Sequence, residues 1–466
     1  MGSLLLAFKK FFSAKKYAFV FPAVAFAMQY FYRLYVGQKF DGTDIGNDSL
    51  QNFLSTKSLS ENPLEALWGL HTQPPLLNGL YAIAIQFQPH EDLIVQIIWA
   101  LFGLVTIWCI YEFSIELLDS KIWAVSLSIL YQLIPSTIGY TLWAYNTILI
   151  QALFAILALG ILKISKLKIE GLYYIHIALL GLFLGRAPFA GLVIAPMILY
   201  FHWYLKTRTN SKNLTKKKML GFSLIVIVFI QGHFLIDFKQ IALSSWGGHS
   251  TLRALTNGVG QDKLLSQVGD DQCHQEIIRN HYQGQSISAF PSCISRYDSI
   301  SIRTTKAAEV GNKNNSKEAL LASIATGDLA KKLVVKNILS YENVVFGSND
   351  KLGTFQYFMG EAKFKRYSVA YFKENILFLL TILLILILIL FCFCRRRSLK
   401  SLSFELKSII LLIGYVMFYS LVTEILENDR YKIEANSLYF LCSIAIVFYL
   451  MLNSNLKKYL MKTRPV

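Results

Sequence analysis

The chain has 466 residues, of which 54% are hydrophobic and 16% charged, with a mean hydropathy of +0.43. This is a membrane composition, and it excludes an ordinary soluble enzyme. The formal charge of +17 is not a nucleic-acid footprint, because it gathers at Lys9 to Lys16, Lys206 to Lys218, Arg395 to Lys400 and Lys457 to Arg464, each against the end of an apolar run.

Continuous apolar runs such as Met219–Ile236 and Ile376–Phe391 predict helices, since a bilayer is crossed by about twenty such residues and only helices or closed barrels hide their backbone polar groups. With the basic clusters inside, span one is about Tyr17–Tyr35, a retained signal anchor, and residues 36–91 form an outer loop. Span two is about Leu93–Leu117, and Asp119-Ser120-Lys121 turns inside. Spans three and four cover about Ile122–Ile138 and Leu142–Leu162, followed by the inner Lys163, Lys166 and Lys168. Spans five and six, about Leu172–Gly185 and Pro188–Leu205, bend at Arg186-Ala187-Pro188 on the outer side. Span seven is about Met219–Phe238. Residues 239–371 are too long for a passive connection and predict a small, mostly helical ectodomain. Spans eight to ten, about Phe372–Cys394, Ser408–Leu426 and Ser437–Leu452, close residues 372–466. The expected fold is an all-α polytopic membrane protein of about ten spans with both termini cytoplasmic.

Chemistry concentrates in the first outer loop. Asp41, Asp44 and Asp48 follow span one, where protein and lipid meet water and a carboxylate's basicity can rise enough for a general base; they also read as ordinary turn formers. After Pro74-Pro75, the apolar Leu76–Phe87 is too short to span and is expected to lie along the interface or re-enter. Arg186 and Arg430 stand at the ends of spans. A guanidinium offers phosphate two hydrogen bonds and keeps its charge when buried, although pairing with Asp429 or Glu427 is an equal alternative. Tyr145 and Asn146 are candidates for a sugar pocket. His233 and Asp237, four apart, read as one hydrogen-bonded pair rather than a metal site, and His176 reads as an interior residue. Cys273 and Cys293 can pair if the outer face is oxidising.

Together these segments resemble the GT-C glycosyltransferases that use polyprenyl-phosphate sugars, the protein O-mannosyltransferase and lipid A aminoarabinose transferase group. The resemblance rests on Asp48-Ser49-Leu50-Gln51-Asn52-Phe53, Thr72-Gln73-Pro74-Pro75-Leu76, Leu184-Gly185-Arg186-Ala187-Pro188, the segment Glu427 to Asn436, and more weakly Ser244-Ser245-Trp246-Gly247-Gly248. It implies an inverting transfer from a polyprenyl-phosphate-linked sugar donor to a glycan, lipid or protein acceptor on the extracytoplasmic side. Asp48 is the favoured base, then Asp44, then Asp41. Arg186, Arg430, His71, Gln73 and Lys432 would bind the donor phosphate, with Tyr431 beside Tyr145 and Asn146 at the sugar. The family often has an Asp-Glu pair after span one and a His or Lys before the prolines. Here the aspartates are separated and Gln73 takes the latter place, so any phosphate contact there is neutral unless His71 supplies it. The residues specify no cofactor and no metal, while divalent cations assist some relatives. Beyond the donor, the expected partner is membrane lipid, with no nucleic acid, and a bacterial inner membrane is favoured over the endoplasmic reticulum. The competing readings are a transporter or flippase of lipid-linked sugars, against which stand the lack of paired helix breaks in matching halves and the scarcity of midspan charge, and an O-antigen polymerase or ligase, which would leave the early Asp and double-Pro loop idle.

Overall fold

The computed structural model describes residues 17–35, 53–134, 139–142, 145–209, 214–241, 243–245, 247–283, 295–338, 344–345, 347–348, 351–352, 368–394, 403–423 and 434–453. Helices dominate the described residues. A short turn, Tyr17–Phe19, leads into α1 (Val20–Tyr35). Residues 53–90 carry α2 (Thr56–Glu61), α3 (Pro63–Trp68) and α4 (Leu76–Ile85). Next come α5 (Glu91–Leu118), α6 (Lys121–Gln132), α7 (Thr147–Ser165), α8 (Gly171–Gly185), α9 (Gly191–Arg208) and α10 (Leu214–Asp237). The polar region holds α11 (Gly247–Gly258), α12 (Gln261–Val268), α13 (Gln272–Gln283), α14 (Lys306–Gly311) and α15 (Lys317–Lys336). An antiparallel pairing joins β1 (Gly347–Ser348) to β2 (Lys351–Leu352). The chain continues with α16 (Ser368–Cys394), α17 (Phe404–Thr423) and α18 (Asn436–Asn453).

Four of these helices are long and apolar enough to cross a membrane: α5, α7, the Lys217–Asp237 part of α10, and α18. Within the expected third span, Ile122–Ile138, α6 ends at Gln132, and residues 135–138 lie outside the described residues. Pro135 explains the early stop, because a proline lacks the N–H a helix needs and disfavours helical backbone in the residue before it.

The bundle is organised around α7, whose apolar window is 94% buried. It packs against α5, α8, α17 and α18. The turn between α7 and α8 works because both helices carry glycine where they cross. A Cβ on Gly171 would stand 2.7 Å from the Gly160 carbonyl oxygen and 2.9 Å from the Ile164 nitrogen. By contrast α10 is only 22% buried, and its exposed Phe222, Ile225, Val228 and Phe229 form an apolar outer face suited to lipid.

Two smaller cores sit beside the bundle. One joins α11, α12, α13 and α15 through Leu252, Leu255, Ile277, Ala325, Leu329 and Leu333. The other belongs to residues 53–85 and the start of α5 and is built on an aromatic ladder. Phe53 stacks on Tyr81 at 5.5 Å and Tyr81 on Trp99 at 5.6 Å, each contact contributing about 0.5–1.5 kcal/mol beyond area burial. Ala308 of α14 belongs to this second core, so part of the 239–371 region packs with residues 53–85 rather than with α11, α12, α13 and α15.

Gly171→Ala is therefore expected to cost about 1–3 kcal/mol, because the intruding Cβ meets backbone. Gly79→Ala, inside α4 and facing open space, is expected to stabilise by about 0.5–1 kcal/mol. Thermal unfolding of the purified variants in detergent would check the opposite signs.

Candidate functional site

The turn that carries the double proline is fastened from two sides. Ser245 N–H donates to the His71 carbonyl (2.8 Å), and the Ser244 hydroxyl donates to the Thr72 carbonyl (2.5 Å). From the segment between α14 and α15, Asn315 Oδ1 accepts from His71 N–H (3.2 Å), Thr72 N–H (3.3 Å) and the Thr72 hydroxyl (3.1 Å). All five residues are buried, so these bonds replace water that cannot reach the groups. Upstream, Ser55 N–H donates to the Gly311 carbonyl (2.8 Å), Asn312 Nδ2 to the Phe53 carbonyl (2.7 Å), and Leu54 N–H to Asn78 Oδ1 (2.9 Å). The first loop is thus laced to residues 305–315.

His71 is fully buried, with its Nδ1 3.0 Å from Ser245 Oγ. Burial pushes the imidazole down to about 4, outweighing hydrogen bonds to Asn315 and Ser316 that favour the charged ring. In this geometry His71 is a neutral fastener of the turn. Gln73 is half-buried beside it.

Arg186 follows α8 and Glu434 precedes α18. Arg186 Nε donates to Glu434 Oε2 at 2.9 Å, and Nη2 lies 2.9 Å from Oε1 without the alignment of a second hydrogen bond. The side chains are only 5% and 2% exposed. Phe154, Pro188, Phe189, Tyr415 and Val416 wall the small hollow around them, and the Tyr415 hydroxyl donates to the Pro188 carbonyl. The pair joins two of the segments that carry the family resemblance. A third arrives through Leu76, the residue after the proline pair, whose Cδ2 would stand 3.4 Å from a Cβ on Gly185. The Ser437 hydroxyl donates to the Gln151 carbonyl (2.7 Å), tying the start of α18 to the first turns of α7.

Tyr145 and Asn146 open α7 and are buried. The Trp99 indole donates to the Tyr145 carbonyl (2.7 Å), and the Tyr145 ring meets Phe53 edge-on at 5.6 Å. Asn146 Oδ1 and Thr147 Oγ1 are sealed from solvent without a hydrogen-bond partner among the described residues. Asp41, Asp44, Asp48, Arg430, Tyr431 and Lys432 lie outside the described residues, as do Asp429 and Glu427. Glu434, Ser244, Asn315 and Thr147 enter the geometry although none had been named a candidate. Glu434 and Ser244 stood inside segments already noted for their resemblance, while Asn315 gave no signal beyond its place in an Asn-x-Ser triplet.

Three further polar clusters stand elsewhere among the described residues. His233 bonds Asp237 (2.7 Å) and the Trp68 carbonyl (2.8 Å) and stacks on the Trp68 ring. His176 bonds Ser223 (2.5 Å) and His202 (2.8 Å). Asp271, Cys273 and His274 converge within 4.8 Å as metal ligands would, but Cys273 is disulfide-bonded and Asp271 is held by Arg296 at 2.8 Å. Cys293 lies outside the described residues.

No family model, curated protein or solved structure matches the chain.

Two outcomes follow from the geometry. An unfolded His71 takes up a proton from its ordinary 6.5 downward, while the docked ring refuses it until about 4. Docking is therefore intact above 6.5 and weakens as pH falls through that window, by up to about 3 kcal/mol. Hydrogen exchange of residues 53–75 should rise between pH 6.5 and 4, and His71→Asn should flatten the dependence. Separately, Arg186→Ala or Glu434→Ala leaves an uncompensated buried charge and is expected to cost about 3–5 kcal/mol. The double variant should cost far less than the sum, read from thermal unfolding.

Proposed function

We infer that the protein is a membrane glycosyltransferase of about ten spans, with both termini cytoplasmic, that moves a sugar from a polyprenyl-phosphate donor to an acceptor on the outer side. The observation that carries this reading is the meeting of Arg186 with Glu434 while Leu76 packs at Gly185. Three segments singled out for one chemistry, far apart in sequence, come to one place at the ends of apolar helices. The disulfide at Cys273 supports an oxidising, extracytoplasmic setting for the polar region. Covalent reach adds to this. Asp48 is five residues from Phe53, a tether of at most about 18 Å, and Arg430 is four from Glu434, at most about 14 Å.

The reaction would be one displacement at the anomeric carbon. An acceptor hydroxyl attacks, and its proton passes to an aspartate of the first outer loop as the new C–O bond forms. The bond from sugar to phosphate breaks, and its electron pair leaves on the phosphate oxygen, giving a polyprenyl phosphate and an inverted glycoside. The leaving oxygen needs positive charge. Arg186 is buried and already neutralised by Glu434, so it positions the segment that leads into α18, and Arg430 and Lys432 meet the donor phosphate and supply the net charge.

The test is release of polyprenyl phosphate from a panel of polyprenyl-phosphate sugars by membranes containing the protein. One of Asp48→Asn, Asp44→Asn and Asp41→Asn is expected to lower the rate by about 10²-fold or more with unchanged protein level. Full activity in all three would remove the assignment of the base.

A further inference from the structure

A second cavity, apart from the Arg186 region, lies where the ectodomain meets the end of α10. It is a groove of ≈ 530 Å³, within the range of small-ligand sites. One wall is the segment after α10, with Lys239, Ile241 and Ser244, and the other is α15, with Ser323, Gly327 and Lys331. Ser323 is oriented by His249 (Nε2 to Oγ, 3.1 Å). Asp328 also lines the groove and lies 3.4 Å from Lys331, so the groove holds two cations against one carboxylate.

Two observations indicate the occupant. The groove opens where an apolar helix ends: Leu235, Ile236 and Ile241, all more than half exposed, continue the apolar face of α10 up to its rim. Lys239 itself has φ of 54°, the left-handed conformation that a glycine adopts without cost after a helix and a side chain resists. That conformation lets Gln240 N–H reach back to the Phe234 carbonyl (3.1 Å) and keeps an ammonium at the mouth of the groove, at the depth where lipid headgroups lie.

We propose that this groove binds an anionic membrane lipid, its phosphate held between Lys239 and Lys331 and its acyl chains lying along Ile241, Ile236 and Leu235. The site is separate from the proposed sugar-transfer centre and does not rest on it. A groove lined by alkyl carbon but entered past two lysines discriminates by headgroup charge rather than by chain.

Three substitutions separate this role from a structural one. Lys239→Gly relieves the left-handed strain and removes the charge. Lys331→Gln changes an exposed position on α15. A Cβ at Gly327 meets nothing within 4 Å, so Gly327→Leu fills the groove while improving helix propensity. The experiment is native mass spectrometry of the full chain in detergent, titrated with phosphatidylglycerol and, in parallel, phosphatidylcholine, alongside thermal unfolding. The wild type is expected to retain phosphatidylglycerol at least about tenfold more tightly. Each lysine variant should weaken it about fivefold, and Gly327→Leu should abolish the preference, with unfolding temperatures at or above wild type. Equal binding of the two lipids, or wild-type binding by the Lys239→Gly, Lys331→Gln double variant, would overturn the proposal. So would displacement of phosphatidylglycerol by equimolar inorganic phosphate, which would mark the site as one for a soluble anion. If Lys239→Gly fails to fold, Lys331→Gln and Gly327→Leu decide the matter.

Discussion

A guanidinium and a carboxylate sealed from water must find each other, because either alone would carry an uncompensated charge into a low-dielectric interior. In this chain that requirement fastens Arg186 to Glu434 across 248 residues of sequence. It sets where α18 begins relative to the end of α8, and both helices pack on α7. A hydrophobic pair would hold the helices together as well. The ion pair also fixes their register at the level where the chain leaves the apolar bundle, and it keeps a planar set of N–H donors in one orientation.

The segment between α1 and α5 is built by the opposite means. Its fastening consists of neutral bonds from Ser244, Ser245 and Asn315 to a turn whose backbone is fixed by two prolines. Such bonds add little net stability individually, but each is costly to leave unmade once buried. The consequence is a rigid shelf, α4, whose first residue touches the Arg186 turn. The two systems meet without sharing a side chain: one is titrated by His71, the other is an ion pair. Loosening the loop with acid should therefore leave the bundle standing.

Much of this architecture is legible in the sequence because lipid imposes one rule on every span. Apolar length and basic flanks locate the long apolar helices α1, α5, α8, α9, α16, α17 and α18 within a few residues, whereas the short polar helices α2, α3 and α11 to α14 carry no such signal. The exception is α6, where the apolar run continues past Gln132 but Pro135 ends the helix first. The site is less legible for a different reason. Arg186 stands out as a charge beside a proline at the end of an apolar run, but local spacing offers Asp429 and Glu427, the nearer members of the same segment as Arg430, as its partners. Choosing Glu434 instead requires knowing how α18 is rotated against α7, which local spacing does not determine. His71 was read as a phosphate ligand from its place before the prolines. Its burial depends on Phe238, Ser245 and Asn315, contributed by segments more than 160 residues away.

The proposed transfer requires that a carboxylate of the opening loop and the Arg430 guanidinium face one cavity on the outer side, beside the buried Arg186–Glu434 pair. Distance measurement between a label on Asp48→Cys and one on Arg430→Cys, in intact membranes and with an impermeant reagent, tests this directly. Both positions are expected to react from outside and to lie close enough to flank one bound sugar phosphate. Labelling on opposite faces, or labels too far apart to share one bound donor, would contradict it.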